Sequence, residues 1–325
     1  MDAKPSPDRL TLAAIREAHE RIRDRIHRTP VLTSATLDQQ SGGKLFFKCE
    51  NMQKGGAFKA RGATNAVFLL SDAEAARGVA THSSGNHAAA LSRAAKARGV
   101  PAYIVMPNNA PQSKRAAVER LGGKVVFCEP NVPAREAAAA KIVADTGATL
   151  IHPYDNLQVM AGQGTATIEL LEQAPDLDII VGPIGGGGLI SGIGIALKSV
   201  SPTTRVIGVE VAASCPFTKS LEAGHLVTID VRPSLADGLT GNLDPETITL
   251  DIVRSVVDDI VIVDEEDIRN ALASVVEHEH VIVEGAAATG PAAIMREKVP
   301  LAGNVAVILT GANIDTDRLM EVVRR

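Results

Sequence analysis

The sequence predicts an α/β fold built on parallel sheets, and three observations carry that prediction. Short β-rich apolar runs recur along the 325 residues, each followed by a helical pattern, often rich in alanine. The runs are apolar on both faces, as strands covered by helices on either side must be. With no Trp, two Tyr and six Phe, the 45% hydrophobic content is carried by Ala, Val, Ile and Leu. Those side chains suit helices packed on a sheet and provide no aromatic platform for stacking single-stranded bases.

In chain order the predicted strands are "LFFKCE" from Leu45, "GVATHS" from Gly78, "AYIVMP" from Ala102, "KVVFCE" from Lys124 and "TLIHPY" from Thr149. "LDIIVGPI" from Leu177, "RVIGVEV" from Arg205, "DIVIVD" from Asp259 and "VAVILTG" from Val305 follow. Ligands of such sheets collect beyond the carboxyl ends of the strands, so the loops that follow the strands are the places to look for function. Four of these loops are small and polar: the stretch "NMQKGGAFKARGATNA" from Asn51, "SSGNH" from Ser83, "GGGGL" from Gly185 and "TGANID" from Thr310. The length exceeds that of one compact domain, so two are expected, with no repeat or linker to mark the boundary.

Several function classes are excluded. A formal charge of -5 without a long basic run gives no nucleic-acid footprint. The N-terminal "MDAKPSPDRLTLAAI" carries neither a secretion nor an import pattern, so a cytoplasmic location is expected. No uninterrupted apolar run is long enough for a bilayer, so no membrane partner is expected. Cys49, Cys128 and Cys215 are odd in number and widely spaced, which fits core thiols rather than disulfides or zinc ligands. His278 to His280, "HEH", lacks the i, i+4 spacing of paired metal ligands and is expected to be a solvated helix end.

"PIGGGGLISG" is the most specific local signal. Four consecutive glycines between a strand and an apolar helix leave backbone N–H groups open at a helix N-terminus, where an anion such as phosphate is favoured. Neither G-x-G-x-x-G nor G-x-x-x-x-G-K-[ST] is satisfied, which counts against a dinucleotide fold and a P-loop. "HSSGNH" offers hydroxyls, an amide and helix N–H groups that would suit a carboxylate, although helix capping accounts for one of them. Lys59 is surrounded by Gly55, Gly56, Ala57 and Ala60, residues that let a ligand come close. Thr310 ends a buried strand, where a core threonine is an equal alternative.

Taken in order, "ENMQKGGAFKARGA", "SSGNHAAAL", "VGPIGGGGLISGI", "GVEV" and "VILTGANID" resemble the fold type II pyridoxal-phosphate enzymes, specifically the serine/threonine dehydratase and serine racemase family. The resemblance implies two open parallel-sheet domains of the tryptophan synthase β type with the cofactor in the cleft between them. Residues 1–77 and 151–325 would form the large domain and 78–150 the small one. It implies pyridoxal 5'-phosphate as cofactor, Lys59 as its Schiff-base lysine and later general base, and Phe58 beside its ring. It further places Asn86 on the ring hydroxyl, Thr310 at the pyridine nitrogen, and Gly185, Gly186, Gly187, Gly188 and Leu189 around the phosphate. Ser83, Ser84, Gly85, Asn86 and His87 would hold the substrate carboxylate, with Asp237 and Gly238 on the substrate-side loop. Ser84 matches the second acid/base group of racemases, and a further carboxylate contact is an equal alternative.

Arg135 matches an arginine that meets a second carboxylate in members acting on hydroxyaspartate, against the alternative of an exposed helix-start charge. Members that bind a divalent cation use a glutamate after a strand and an aspartate several residues on. Glu210 matches the first, but Pro216 stands about where the second belongs, leaving a magnesium or calcium site on Glu210 alone. Two further departures are Ala57, where serine usually precedes the Phe-Lys pair, and Leu239 to Asn242, where serine racemase carries a lysine-serine pair. The chain stops soon after "TGANID", so no regulatory domain and no isoleucine feedback are expected.

The activity implied is dehydration and deamination of L-threonine, L-serine or a related β-hydroxy amino acid by a homodimer. Rivals are serine or aspartate racemase, hydroxyaspartate ammonia-lyase, aryl-serine dehydratase and a catalytically silent cofactor-binding regulator.

Overall fold

The computed structural model describes residues 10–174, 176–301 and 303–324; the stretch 1–9, in which no leader signal is legible, lies outside them. Ten strands are described: β1 (Val31–Thr33), β2 (Lys44–Lys48), β3 (Val79–Thr81), β4 (Ala102–Pro107), β5 (Lys124–Cys128), β6 (Thr149–Leu150), β7 (Ile179–Pro183), β8 (Arg205–Val211), β9 (Asp259–Val263) and β10 (Asn304–Ile308). The nine predicted runs become β2 to β10. β1 is not among them: unlike the equally short but fully buried β3, it is an edge strand with no buried position and shows no apolar run.

One sheet has the order β1-β2-β10-β7-β8-β9 and the other β5-β4-β3-β6. All pairs are parallel except β1 with β2, where Val31 faces Lys48 at the sheet edge. Parallel neighbours need crossovers, and these are the helices that cover the sheets. β7 is buried at every position, as the sequence "IIVGP" requires of a central strand. Its side chains alternate between two cores. Val181, Val305 and Val307 pack with Ala287, Ala288 and Ala292 of helix Gly285–Met295. Ile180, Ala306 and Ile308 pack with Ile190, Ile193 and Leu197 of helix Gly188–Val200.

Helix Leu157–Gln173 ties neighbouring helices together by close backbone crossings. A Cβ on Gly162 would lie 2.5 Å from the Cα of Gly62 in helix Lys59–Leu69, and one on Gly192 would lie 2.3 Å from the Met160 carbonyl oxygen. Beneath that crossing lies a group of charges with no solvent contact. Arg61 spans the carboxylates of Glu50 and Glu169, and Lys48 Nζ reaches Glu169 at 2.7 Å. Arg61 is thus a buried structural charge rather than a surface one.

Of the cysteines, only Cys49 is fully buried, its thiol pushed up to about 12 chiefly by burial; Cys128 and Cys215 are half-buried. His278 and His280 are exposed at the end of a π-turn. Among the described residues no helix is long and apolar enough to cross a membrane.

Candidate active site

After β2 the chain passes through two short 3-10 turns, Glu50–Met52 and Lys54–Gly56, and then enters helix Lys59–Leu69. Gly55 and Gly56 have φ of 77° and 72°, a left-handed conformation that a side chain would strain. The turn is joined to the loop after β10. Ala57 forms an antiparallel bridge with Gly311, Phe58 N donates to the Thr310 carbonyl at 3.0 Å, and Ala312 N donates to the Gly56 carbonyl at 2.8 Å. Two of the four polar loops are therefore one structure, and Ala57 lies buried at the joint.

Lys59 begins its helix, where Nζ donates to the Pro153 carbonyl at 2.6 Å and lies 5.1 Å from the centre of the Phe58 ring. Burial lowers its amine to about 8, against the charge of Glu284, which works to raise it. At that value roughly one amine in ten is neutral at pH 7. Thr310, 2% exposed, stands just beyond the end of β10.

The glycine loop fits a phosphate-bearing ring. Helix Gly188–Val200 starts at Gly187, φ 86°, without a side-chain cap among the described residues. A Cβ on Gly186 would lie 2.2 Å from Tyr154 Cδ1, and one on Gly187 2.6 Å from Phe217 Cζ. Side chains are excluded from this loop, so its backbone N–H groups face whatever occupies it. Leu189 turns its side chain into the apolar core, leaving its backbone for the site. On the other flank Gly185 lies against Gly238, whose carbonyl is 3.2 Å from where a Gly185 Cβ would be. Asp237 pairs with Lys114 of helix Gln112–Arg120 at 3.0 Å, so this turn is joined to the elements around the four-stranded sheet.

"SSGNH" closes the site from that smaller sheet. Ser83, Ser84 and Gly85 are partly exposed, and helix Asn86–Arg98 begins after Gly85 without a side-chain cap among the described residues. Ser83 Oγ accepts from Gly85 N at 3.4 Å. Asn86 Nδ2 donates to Glu284 Oε1 at 2.8 Å, which leaves its second hydrogen for another acceptor. His87 is buried; its Nε2 lies 3.1 Å from the Ile151 carbonyl, and its Nδ1 has no partner among the described residues. Burial lowers this imidazole well below its ordinary range, so it is neutral.

A polar roof of side chains adjoins Pro153, whose carbonyl receives Lys59 Nζ. The rings of His82 and His152 meet edge-on with centroids 5.0 Å apart, and those of His152 and Tyr154 at 4.6 Å. Asp244 holds both His152 Nε2, at 3.0 Å, and Tyr154 Oη, at 2.8 Å. The His152 hydrogen bond and the Tyr154 hydroxyl hold the Asp244 carboxyl below its ordinary range. Arg135 is half-buried in the first turn of helix Val132–Thr146. Burial is the main cause lowering His82, and the charges of His152 and, last, Arg135 add to it.

Glu210 stands apart from this cluster. Its carboxylate accepts from Phe217 N at 2.9 Å, Thr218 N at 2.8 Å and Thr218 Oγ1 at 2.6 Å, capping the helix Pro216–Ala223. Among the described residues no group of three or more His, Cys, Asp or Glu side chains could hold a metal ion. The structural role found for Glu210 is therefore that of a helix cap.

Sequence reasoning missed Glu284, Asn313 and the His152–Tyr154–Asp244 roof. Glu284 had one signal, a lone carboxylate between the apolar "VIV" and an Ala/Gly helix. Asn313 lies inside "TGANID", where only Thr310 attracted notice.

The pyridoxal-phosphate dependent enzyme family model matches residues 22–311. Serine racemase of Arabidopsis thaliana is 46% identical across 99% of this chain and 98% of its own length. The beta-hydroxyaspartate dehydratase of Paracoccus denitrificans is also 46% identical, over 93% of this chain and 96% of its own. The solved structure of maize serine racemase superposes with a TM-score of 0.92 at 41% identity, covering 97% of each chain. A half-buried lysine of lowered pKa, a side-chain-free loop at a helix start and these likenesses agree: the chain belongs to the fold type II pyridoxal-phosphate dependent enzymes, in the serine/threonine dehydratase and serine racemase family, with pyridoxal 5'-phosphate as its cofactor.

Proposed function

We propose that the chain is a dehydratase that converts a β-hydroxy amino acid, L-threonine, L-serine or β-hydroxyaspartate, to a 2-oxo acid and ammonia. The observation that carries this reading is Lys59, an amine lowered to about 8 at the point where the loops after β2 and β10 join, with the "SSGNH" helix start beside it. Residues 1–77 with 151–325 form the cofactor lobe of this reading, and 78–150 the smaller lobe. Family likeness also points to a homodimer.

Bound pyridoxal phosphate supplies the electron sink that makes the substrate Cα–H bond labile. Gly185 to Leu189 would hold its phosphate through their N–H groups, Asn86 would bind the ring hydroxyl, and Phe58 would pack against the ring. Thr310 would offer the ring nitrogen a hydroxyl, which would not fix a proton there as a carboxylate does. Ser83, Ser84 and the helix N–H groups of Gly85, Asn86 and His87 bind the substrate carboxylate. Lys59, whose amine is lowered to about 8, would accept the Cα proton. The β-hydroxyl then leaves with a proton as water, and the enamine takes up water to give the 2-oxo acid and ammonia. His82, His152 and Tyr154 roof the site and limit water access to the reacting atoms.

Racemisation is a second reading, supported by Ser84, which enters the site from a different sheet than Lys59, and by the serine racemase relatives. A panel of threonine, serine, β-hydroxyaspartate and phenylserine, followed by 2-oxo acid release and chiral amino-acid analysis, tests both. A chain that releases no 2-oxo acid from any of them is not a dehydratase. Arg135 supports β-hydroxyaspartate within the panel, because its charge reaches His82. Arg135→Ala is expected to lower kcat/KM for β-hydroxyaspartate by about tenfold to a hundredfold, the worth of one hydrogen bond to a charged group, and to spare serine. Equal losses on both substrates would remove Arg135 from side-chain recognition.

Gly186→Ala tests the phosphate loop. The added methyl meets the Tyr154 ring at 2.2 Å, and relieving such overpacking costs ~1–3 kcal/mol. Cofactor retention on dilution, followed by absorbance, is expected to fall by about fivefold to a hundredfold. Unchanged retention would show that the cofactor does not depend on this loop.

A further inference from the structure

Glu284 lies where three segments around Lys59 meet. Its carboxyl accepts from Asn86 Nδ2 at 2.8 Å and from Asn313 N at 3.2 Å. Asn313 Nδ2 in turn donates to Asn86 Oδ1 at 2.8 Å and to the Gly55 carbonyl at 2.9 Å. Gly311 makes room for the carboxyl, since a Cβ there would lie 2.4 Å from Glu284 Oε1. Glu284 N also donates to the Gly311 carbonyl at 2.9 Å. One acidic group is therefore wedged between the turn that leads into Lys59, the helix that presents Asn86 and the loop after β10.

We propose that Glu284 is a positioning residue that governs the charge of the Lys59 nitrogen, through space on Lys59 itself and through the Asn86 side chain that it holds. The inference rests on the functional reading above and adds to it the group that sets its proton balance. Glu284 is half-buried at the start of helix Gly285–Met295, and burial pushes its carboxyl up to about 7. The hydrogen bonds from Asn86 and Asn313 oppose that rise. The charges facing it from neighbouring elements are Asp237, which raises it, Lys114, which lowers it, and Lys59. The sign for Lys59 follows. Well below pH 7 Glu284 is neutral and does not favour a protonated Lys59 nitrogen. Above that range Glu284 is charged and favours it, raising the pH at which the nitrogen loses its proton.

The test is a pH titration of the visible absorbance band of the cofactor-loaded full chain, which reports the protonation of the Lys59 nitrogen. Glu284→Gln keeps the size and the acceptor for Asn86 while removing the charge. Its midpoint is expected to fall by about one pH unit, the low end of the effect of a nearby opposite charge. A midpoint that stays in place overturns the proposal. Should Glu284→Gln fail to fold, Asp237→Asn at the half-exposed end of the Lys114 pair tests it from outside. That change makes Glu284 more acidic, so the response of the band to Glu284 ionisation, read below pH 7, is expected to move to lower pH; a response that stays in place or moves up overturns the proposal. A wild-type chain with no visible band refutes the functional reading and this inference with it, whereas a wild-type band indifferent to these changes refutes this inference alone.

Discussion

Lys59→Ala leaves a folded chain with turnover reduced at least about 10⁴-fold, the upper end of what a positioned base contributes. Folding survives because little of the local structure depends on the amine. Among the described residues its hydrogen bond is to the Pro153 carbonyl. The start of the helix is set instead by Phe58 N on the Thr310 carbonyl and by the contact of Gly62 with Gly162. In the proposed mechanism turnover collapses because two tasks are lost together, attachment of the cofactor and removal of the Cα proton. Restoring one task separates them: a small primary amine added to Lys59→Ala is expected to recover part of the rate. Lys59→Arg stays inactive, since a guanidinium does not deprotonate. The measurements are 2-oxo acid release and the visible spectrum of the loaded protein. Turnover within about tenfold of wild type would remove Lys59 from the chemistry.

Why the fold was so legible follows from the strands themselves. β7 and β10 are apolar on both faces, and that pattern is visible without a partner. The glycine loop was legible as a turn for a related reason, since four consecutive glycines are a local pattern, and Gly186 and Gly187 leave no room for a side chain. What stayed hidden depends on contacts distant in sequence. Asp244 matters because it meets His152 and Tyr154, 90 residues away in the latter case. Glu284 and Asn86 are 198 residues apart, and neither sequence neighbourhood points to the other. Glu210 shows the opposite limit. Its place after β8 suited a cation ligand, and only the three donors of the following helix reveal a cap. Ala57 becomes intelligible through its bridge to Gly311, a partner 254 positions on in the sequence.

Arg61→Met is the substitution expected to cost the most stability. The guanidinium makes a two-point contact with each of two carboxylates, to Glu50 at 2.7 and 2.8 Å and to Glu169 at 2.8 and 2.7 Å, and a further bond to Thr165 at 3.0 Å. All three charged groups are at most 2% exposed. Burial works to lower the Arg61 pKa and to raise that of Glu169, and mutual pairing overcomes it in both cases. Removing the cation strands Glu50 with Thr29 and leaves Glu169 to Lys48 alone. Breaking such a buried pair costs ~3–5 kcal/mol, because a charge is left without compensation. Arg61→Lys is expected to recover little of this, since an ammonium cannot span two carboxylates in one plane. Arg61→Met combined with Glu50→Gln is expected to be more stable than Arg61→Met alone, because the second change removes the stranded charge. Urea midpoints of the single and double variants are the measurement. A double variant less stable than the single one would mean that packing, not stranded charge, sets the loss. Arg61 is two residues beyond Lys59 on the same helix, so cofactor retention should fall in the same order as the midpoints. That ordering would show the buried charges fixing the helix end from which Lys59 acts.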